Sequence, residues 1–542
     1  MKKLLFLLTA AALFAVSCTD KGGGSESPSV YFKSFGFYKA DNPALDKDYV
    51  ASGNLKSASE IEVILPNDID PAVFAELAPS FEVNAENVIV KVGDDILLPA
   101  DQKPADSGAA GAPASRGDGD GSSDEPGPEE ASYIYSLDLR KPVELILSDG
   151  KLYKNYLLSA GIQTPWKKVA EGSAAIFGGA IKPAYDSKGD QFYLAGALIA
   201  ENSAERYPVL YSFKNGAISP AVGSDGVIAQ RQSAGCNNVA VASDGTPYVA
   251  FTDYVVLSEG ASATARVSVA SVKNGAASIV GSAGAIYAAN TSYEIEVFPF
   301  AANKVWAAMT NNANVTTAPA LNRRLLNLAS FDGSAWTNAV AIAGRSATDY
   351  GYFPRSVFNG SKGWLFLANQ NVGTYSVYKN EGTDWSAVAE SVFPIDKDGT
   401  ALAKAAVSYY GGLGVDASGN AYIIGHGKLD GSNWACSLQK IGANGALSFV
   451  GGIIPGTESS NGSVKAHVAF AADGTPYVSF QSRGGSQQPM VSRLDAASGS
   501  WITEAISPVK VGDEVIIASD KNGKLFIFAV EDDTDHVVVW AL

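Results

Sequence analysis

The residues able to do acid–base or ligand chemistry are few and scattered. The chain holds three histidines, His426, His467 and His536, and none stands in a metal-binding spacing such as HExxH. No nucleophile elbow, phosphate loop or dinucleotide fingerprint occurs in a usable context. Hydrolysis of a glycosidic bond needs two positioned carboxylates. Glu294, Glu296, Asp253 and Glu514 supply the residue type, but their spacing selects no pair. The loop Asp396-Lys397-Asp398-Gly399 lacks the downstream bidentate Glu of a calcium site and reads as a turn. Neither a metal nor a cofactor is implied. The chemistry that remains is recognition. Tyr293, Phe353 and Tyr409 fall at equivalent places, with Tyr352 and Tyr410 beside them. A contiguous aromatic wall suits stacking against the C–H face of a pyranose; the same rings could equally pack loops together. Asn238, Arg355 and His467 stand nearby and can read ligand hydroxyls or carboxylates.

Those equivalent places are set by an internal repeat. Asp244–Val249 and Asp473–Val478 are identical (DGTPYV). Large residues recur three positions after a turn residue at Phe192, Tyr248, Trp306, Phe366, Tyr422, Tyr477 and Phe526, at intervals of 49 to 60 residues. That period fits β-propeller blades, each of four strands, and seven copies give a seven-bladed ring. Trp336, Trp385 and Trp501 open an outer strand in their units, and Trp166 carries the same pattern before the first full unit. The strand from Trp166 to Ala170 is therefore expected to complete the last blade from outside, which removes the free sheet edges. Ligands of propellers usually meet the face where the inner strands begin. Thirteen residues before the aligned aromatics lie Gly179, Gly235, Tyr293, Phe353, Tyr409, Val464 and Asp513, which puts the aromatic wall at the mouth of the channel.

Composition agrees with an all-β chain of more than one domain. The 542 residues include 55 Gly, 23 Tyr, 23 Phe and only 3 Met, with 46% hydrophobic and 18% charged residues. A formal net charge of −16 argues against nucleic acid and anionic lipid surfaces as partners. Lys2 and Lys3 precede a short apolar run, Leu4 to Val16, typical of an export signal and too short to span a bilayer. Residues 19–28 read as a flexible tether. Residues 29–160 carry short strand signals, at Ile61–Leu65, Val88–Leu98 and either side of the Ser148-Asp149-Gly150 turn. Residues 101–131 interrupt them with a stretch too polar to bury a core, expected to be a disordered loop; its Arg116-Gly117-Asp118 is read as coincidence. Residues 161–542 hold the repeat. Beyond the third cysteine at position 18, Cys236 and Cys436 are expected to stay unpaired.

Three resemblances attach to these stretches. Ala15-Val16-Ser17-Cys18 resembles a bacterial lipobox, with Ala15 where Leu is commonest. This implies a lipoprotein signal over residues 1–18, with Cys18 lipidated and left as the first residue of the mature chain, and hence a membrane contact through the lipid anchor alone. The hairpin with Asp149-Gly150 and Lys154-Asn155-Tyr156 resembles the last hairpin of immunoglobulin-like modules that follow the anchor in many Gram-negative surface lipoproteins, where they act as spacers. Ser330-Phe331-Asp332-Gly333-Ser334-Ala335-Trp336 resembles a sialidase Asp-box with one residue missing, a structural turn between outer strands. Sialidase rings have six blades, unlike the seven counted here, and a sialidase would need three clustered arginines; Arg231, Arg355 and Arg483 are the candidates.

Together these features imply an all-β protein, an immunoglobulin-like β-sandwich followed by a seven-bladed β-propeller. It would be held at the outer membrane by lipid, facing the cell exterior, and would bind a glycan or other polymer without catalysis. The ligand-binding set would be Tyr293, Phe353, Tyr409, Arg355, His467 and Asn238. Two alternatives stand beside this: a propeller glycoside hydrolase or lyase, and a scaffold for other envelope proteins. A palmitate analogue fed to an expressing bacterium is expected to label the chain, and Cys18→Ala to abolish the labelling.

Overall fold

The computed structural model describes residues 29–66, 71–103, 132–139, 142–162, 164–176, 181–199, 206–231, 237–255, 264–286, 295–311, 325–338, 340, 342, 352–369, 372–431, 433–483 and 486–542. The export signal with Cys18, the tether, residues 104–131 of the expected insertion, and Tyr293, Glu294 and Cys236 lie outside these; the first residues of that insertion belong to a 3-10 turn, Ala100–Gln102, and not to a disordered loop. Among the described residues there is no α-helix, nor any helix long and apolar enough to cross a membrane. The chain divides into two compact units, 1–63 with 77–159 and 64–76 with 160–542.

The first unit is built on short strands. One sheet joins Tyr49–Val50, Phe32–Phe37 and Ser80–Val83. A six-stranded sheet draws its strands from between Glu60 and Ile162. Strand Phe32–Phe37 buries Phe32, Phe35 and Phe37, and Phe32 meets Tyr156 of the larger sheet at 5.2 Å between ring centroids. The expected hairpin is present: Ser148 pairs with Tyr153, Gly150 takes φ +87°, and Asp149 Oδ1 accepts the Lys151 and Leu152 amides. Only a glycine adopts that φ without strain.

The second unit holds seven four-stranded antiparallel sheets among its described residues. Six are consecutive in the chain. Their first strands are Lys182–Asp186, Asn237–Val241, Ile295–Ala301, Tyr352–Phe358, Gly412–Val415 and Ala466–Phe470. The seventh takes Ile516–Ser519, Leu525–Val530 and His536–Ala541, then adds Lys167–Ala175 outside them, with Lys167 opposite Ala541. The pairing expected of the strand after Trp166 is thus present. Each first strand packs against the first strand of the next sheet, and the last, Ile516–Ser519, returns to Lys182–Asp186. The cycle is closed, which is a β-propeller arrangement.

The repeat residues perform the jobs that their chemistry suggests. All seven aligned large residues lie on second strands. Asp244 Oδ1 accepts the Thr246 amide and Asp473 Oδ1 the Thr475 amide, both at 2.9 Å, in the turns between first and second strands. Side-chain capping of this kind is why Asp opens such turns. Gly523, at φ +74°, also abuts the neighbouring sheet: a Cβ there would come within 2.3 Å of the Ala472 nitrogen. The Asp-box-like segment is a turn between Leu325–Phe331 and Trp336–Thr337. Its Asp332 carboxylate accepts the Ser334 and Ala335 amides, which hold its pKa down to about 2.

Neighbouring sheets share apolar cores. Phe192 and Leu194 of the first sheet pack with Phe528 and Val539 of the seventh, so this shared core adds to the strand pairing that closes the ring. Phe528 is fully buried among Phe192, Phe213 and Phe526. Phe528→Ala is expected to cost about 3–5 kcal/mol, measured by denaturant unfolding of the whole chain.

Candidate ligand-binding cavity

The first strands surround a cavity of about 990 Å³. Its wall mixes polar and apolar groups, with Val239, Val357, Leu413, Val468 and Ile517 forming the apolar part. One end is polar and carries Lys182, Asn238, Glu296, Arg355, Ser356 and His467. The other end reaches the turns between first and second strands, at Asp416, Asp473 and Asp520.

The polar end is organised by two buried carboxylates. Glu514, 1% exposed, precedes the seventh sheet and collects cations from three others. Lys182 Nζ lies at 3.2 Å, Lys465 Nζ at 3.3 Å and Arg355 Nη2 at 3.4 Å, while His467 Nε2 lies at 2.7 Å. Lys465 also pairs with Asp513 at 2.8 Å. Burial alone would raise the Glu514 pKa, but the three cations and the His467 hydrogen bond outweigh it and hold the carboxyl well below the usual range. Glu296, 2% exposed, accepts Asn238 Nδ2 at 2.7 Å and the Ser356 hydroxyl. These contacts link the second, third and fourth sheets.

Arg355 reaches its place through an irregular strand. The register shifts between Tyr352 and Arg355, and Phe353 between them sits at φ +55°. A bulge of this kind re-aims the side chains that follow it, and a bulky residue at positive φ is held only by surrounding structure. The Phe353 ring lies under the guanidinium, 4.4 Å from its carbon.

Of the six ligand-binding residues expected from sequence, the structure brings Asn238, Arg355 and His467 together in the cavity wall. Phe353 and Tyr409 stand elsewhere, in a cluster with Tyr352 and Tyr410. Phe353 is 5% exposed, Tyr409 and Tyr410 are half-buried, and the rings meet at 4.4 to 6.0 Å with tilted or edge-on planes. Tyr410 feels the charges of Lys465 and Asp513. The aromatics therefore sit beside the Glu514 network and are not among the residues that line the cavity. Tyr293 lies outside the described residues.

The three arginines each have a separate partner. Arg231 binds Asp253 through two hydrogen bonds of 2.7 and 2.9 Å, Arg355 binds Glu514, and Arg483 donates to the Ser463 carbonyl. Asp253 is further committed to Ser268 at 2.5 Å. No cluster of three or more His, Cys, Asp or Glu suits a metal ion among the described residues. Cys436 is buried and free, and burial pushes its thiol up to about 12, which makes it unreactive. Burial likewise drives His426 down to about 3, leaving a neutral ring.

Sequence reasoning missed Ser356 and Lys465. A count would have found the first: ten positions before the aligned aromatics lie Lys182, Asn238, Glu296, Ser356, Gly412, His467 and Ile516. Lys465 stands in the approach to its strand and follows no such count.

No protein-family description and no curated protein matches this chain. Among solved structures, an α-L-arabinofuranosidase from Fusarium graminearum with an iminosugar inhibitor is similar at a TM-score of 0.34 and 12% identity, over 56% of this chain and 92% of that one. A Dyadobacter fermentans protein of unknown function gives 0.35 and 10%, over 70% and 100%. The RS223 β-xylosidase gives 0.25 and 15%, over 46% and 90%.

Glu514→Gln leaves three cations without their shared carboxylate, so a loss of about 3–5 kcal/mol is expected. The pH dependence has a definite sign. Glu514 has a lowered pKa in the folded chain, so its contribution is present above the unfolded carboxylate range and is lost as pH falls through the folded value. The variant's stability should therefore fall less steeply in acid than the parent's, as read by chemical denaturation from pH 7 down to about pH 3.

Proposed function

We propose that the second unit is a seven-bladed propeller, each four-stranded sheet being one blade, that binds a glycan or other extracellular polymer in its central cavity. In this reading the first unit is an immunoglobulin-like spacer, and a lipid on Cys18 holds the protein at the outer membrane, facing outwards. The observation that carries the binding role is the cavity itself: apolar side chains of the first strands, Val239, Val357, Val468 and Ile517, beside a polar end that carries an amide, a carboxylate, a guanidinium and an imidazole. Ligand sites are concave and combine apolar surface with convergent polar groups.

The state of the carboxylates favours binding over hydrolysis. A glycosidase needs one carboxyl that holds a proton at working pH. Glu514 is kept ionised by Lys182, Lys465 and Arg355, so it cannot fill that role. Glu296 is already an acceptor for Asn238 and Ser356. The second reading, a glycoside hydrolase, draws its support from the presence of two buried carboxylates at one end of one cavity.

A glycan array followed by product analysis separates the readings. Retention of an intact ligand is expected. Release of new reducing ends, abolished by Glu296→Gln, would instead establish the hydrolase, and capture of envelope proteins without glycan would establish the scaffold. Asn238→Ala is expected to weaken the retained ligand about tenfold, the effect of one lost hydrogen bond.

A further inference from the structure

The tautomer of His467 can be read from its partner. Glu514 is surrounded by Lys182, Arg355 and Lys465 at 3.2 to 3.4 Å, so its carboxylate is ionised and can only accept hydrogen bonds. The 2.7 Å contact to His467 Nε2 therefore requires the proton on Nε2. A neutral imidazole protonated there carries a bare lone pair on Nδ1. His467 lines the cavity, and its ring has no second hydrogen-bond partner among the described residues.

The charged groups facing this ring are Glu514 from the seventh sheet, Lys182 from the first and Arg355 from the fourth. Both cations are engaged with Glu514. They and burial disfavour a charged imidazole more than Glu514 favours it, so the His467 pKa lies below its ordinary value. The other cavity-lining carboxylate, Glu296, is also an acceptor. At this end the cavity offers two acceptors, a bare imidazole nitrogen and a carboxylate, while the donors that line it, Lys182, Arg355, Asn238 and Ser356, already face Glu514 or Glu296; a matching ligand brings hydroxyl donors.

We propose that the cavity takes a neutral polyhydroxyl ligand, one of whose hydroxyls donates its proton in a hydrogen bond to His467 Nδ1. This rests on the reading of the cavity as a binding site. A carboxylate on the ligand could not pair with the acceptors His467 Nδ1 and Glu296 and would compete with Glu514 and Glu296 for donors already engaged with them, whereas a neutral sugar meets both acceptors with hydroxyl donors.

The test is long-range proton–nitrogen NMR of the full chain with ring-labelled histidine. Three histidines make three ring systems, and the His467 signals are those lost in His467→Phe. In the unliganded protein Nδ1 is expected at the shift of an unprotonated nitrogen and Nε2 at that of a protonated one. Gluco-, manno- and xylo-configured neutral tetrasaccharides are the probes, with tetragalacturonate as the acidic control. A neutral probe should move the Nδ1 resonance, bind at least about tenfold more tightly than the acidic one, and lose affinity in acid as Nδ1 gains a proton. A protonated Nδ1, or preference for tetragalacturonate, would overturn the inference while leaving the cavity a binding site. Binding of neither class would overturn the binding reading and this inference with it, even with the tautomer as stated. The apo spectrum is read on the parent chain, so the tautomer test does not depend on the variant folding.

Discussion

A ring of sheets is stable only if its last member meets its first. Here that requirement is met by one pairing, Lys167–Ala175 against His536–Ala541, backed by the aromatic core of Phe192, Phe213, Phe526 and Phe528. Without it the seventh sheet would expose a strand edge, and the first sheet would lose the neighbour that covers Phe192 and Leu194. The other contacts around the ring are local, each sheet leaning on the next. Closure therefore turns a row of similar units into a single body with an enclosed centre.

Closure also creates the conditions for the polar cluster. First strands from all seven sheets converge, so polar side chains on them leave water together. A lone carboxylate there would be protonated or excluded; Glu514 survives as an ion because the first, fourth and sixth sheets each bring a cation to it. The arrangement is a constraint as much as an attraction. Its partners come from distant parts of the chain, so it forms only in the correctly assembled ring. His467 inherits its orientation from it, and Arg355 is aimed at it by the bulge at Phe353.

The repeat was legible because turns obey local chemistry. Asp caps the amides that follow it and Gly takes positive φ, whatever the rest of the chain does, so DGTPYV marks the same corner at Asp244 and Asp473. The aromatic that follows is a second-strand residue for equally local reasons. The same ruler reaches Asn238 and His467, which line the cavity. The count reaches Phe353 and Tyr409 as well, but the fourth sheet pairs Val357 with Trp364 and shifts register before Arg355, and a count does not say what a ring touches. Their faces are spent on Tyr352, Tyr410 and the Arg355 guanidinium, an outcome of packing across three dimensions. Glu514 and Lys465 stand in approaches of variable length, where counting loses its meaning. The end towards which the cavity runs, past Asp416, Asp473 and Asp520, depends on which side chains fill the opposite end, and no spacing encodes that.

The closing strand has a kinetic consequence. Residues near 170 wait for partners near 540, so the most sequence-distant contact of the ring is also the one that completes it. Such non-local pairing is slow, because loop entropy is lost before the contacts that repay it exist. Throughout that interval the strand Lys167–Ala175 is an unpaired edge, open to the wrong sheet or to another molecule. Its composition suits the wait: Lys167, Lys168 and Glu171 place charge along it, which discourages edge-to-edge association until the last sheet arrives.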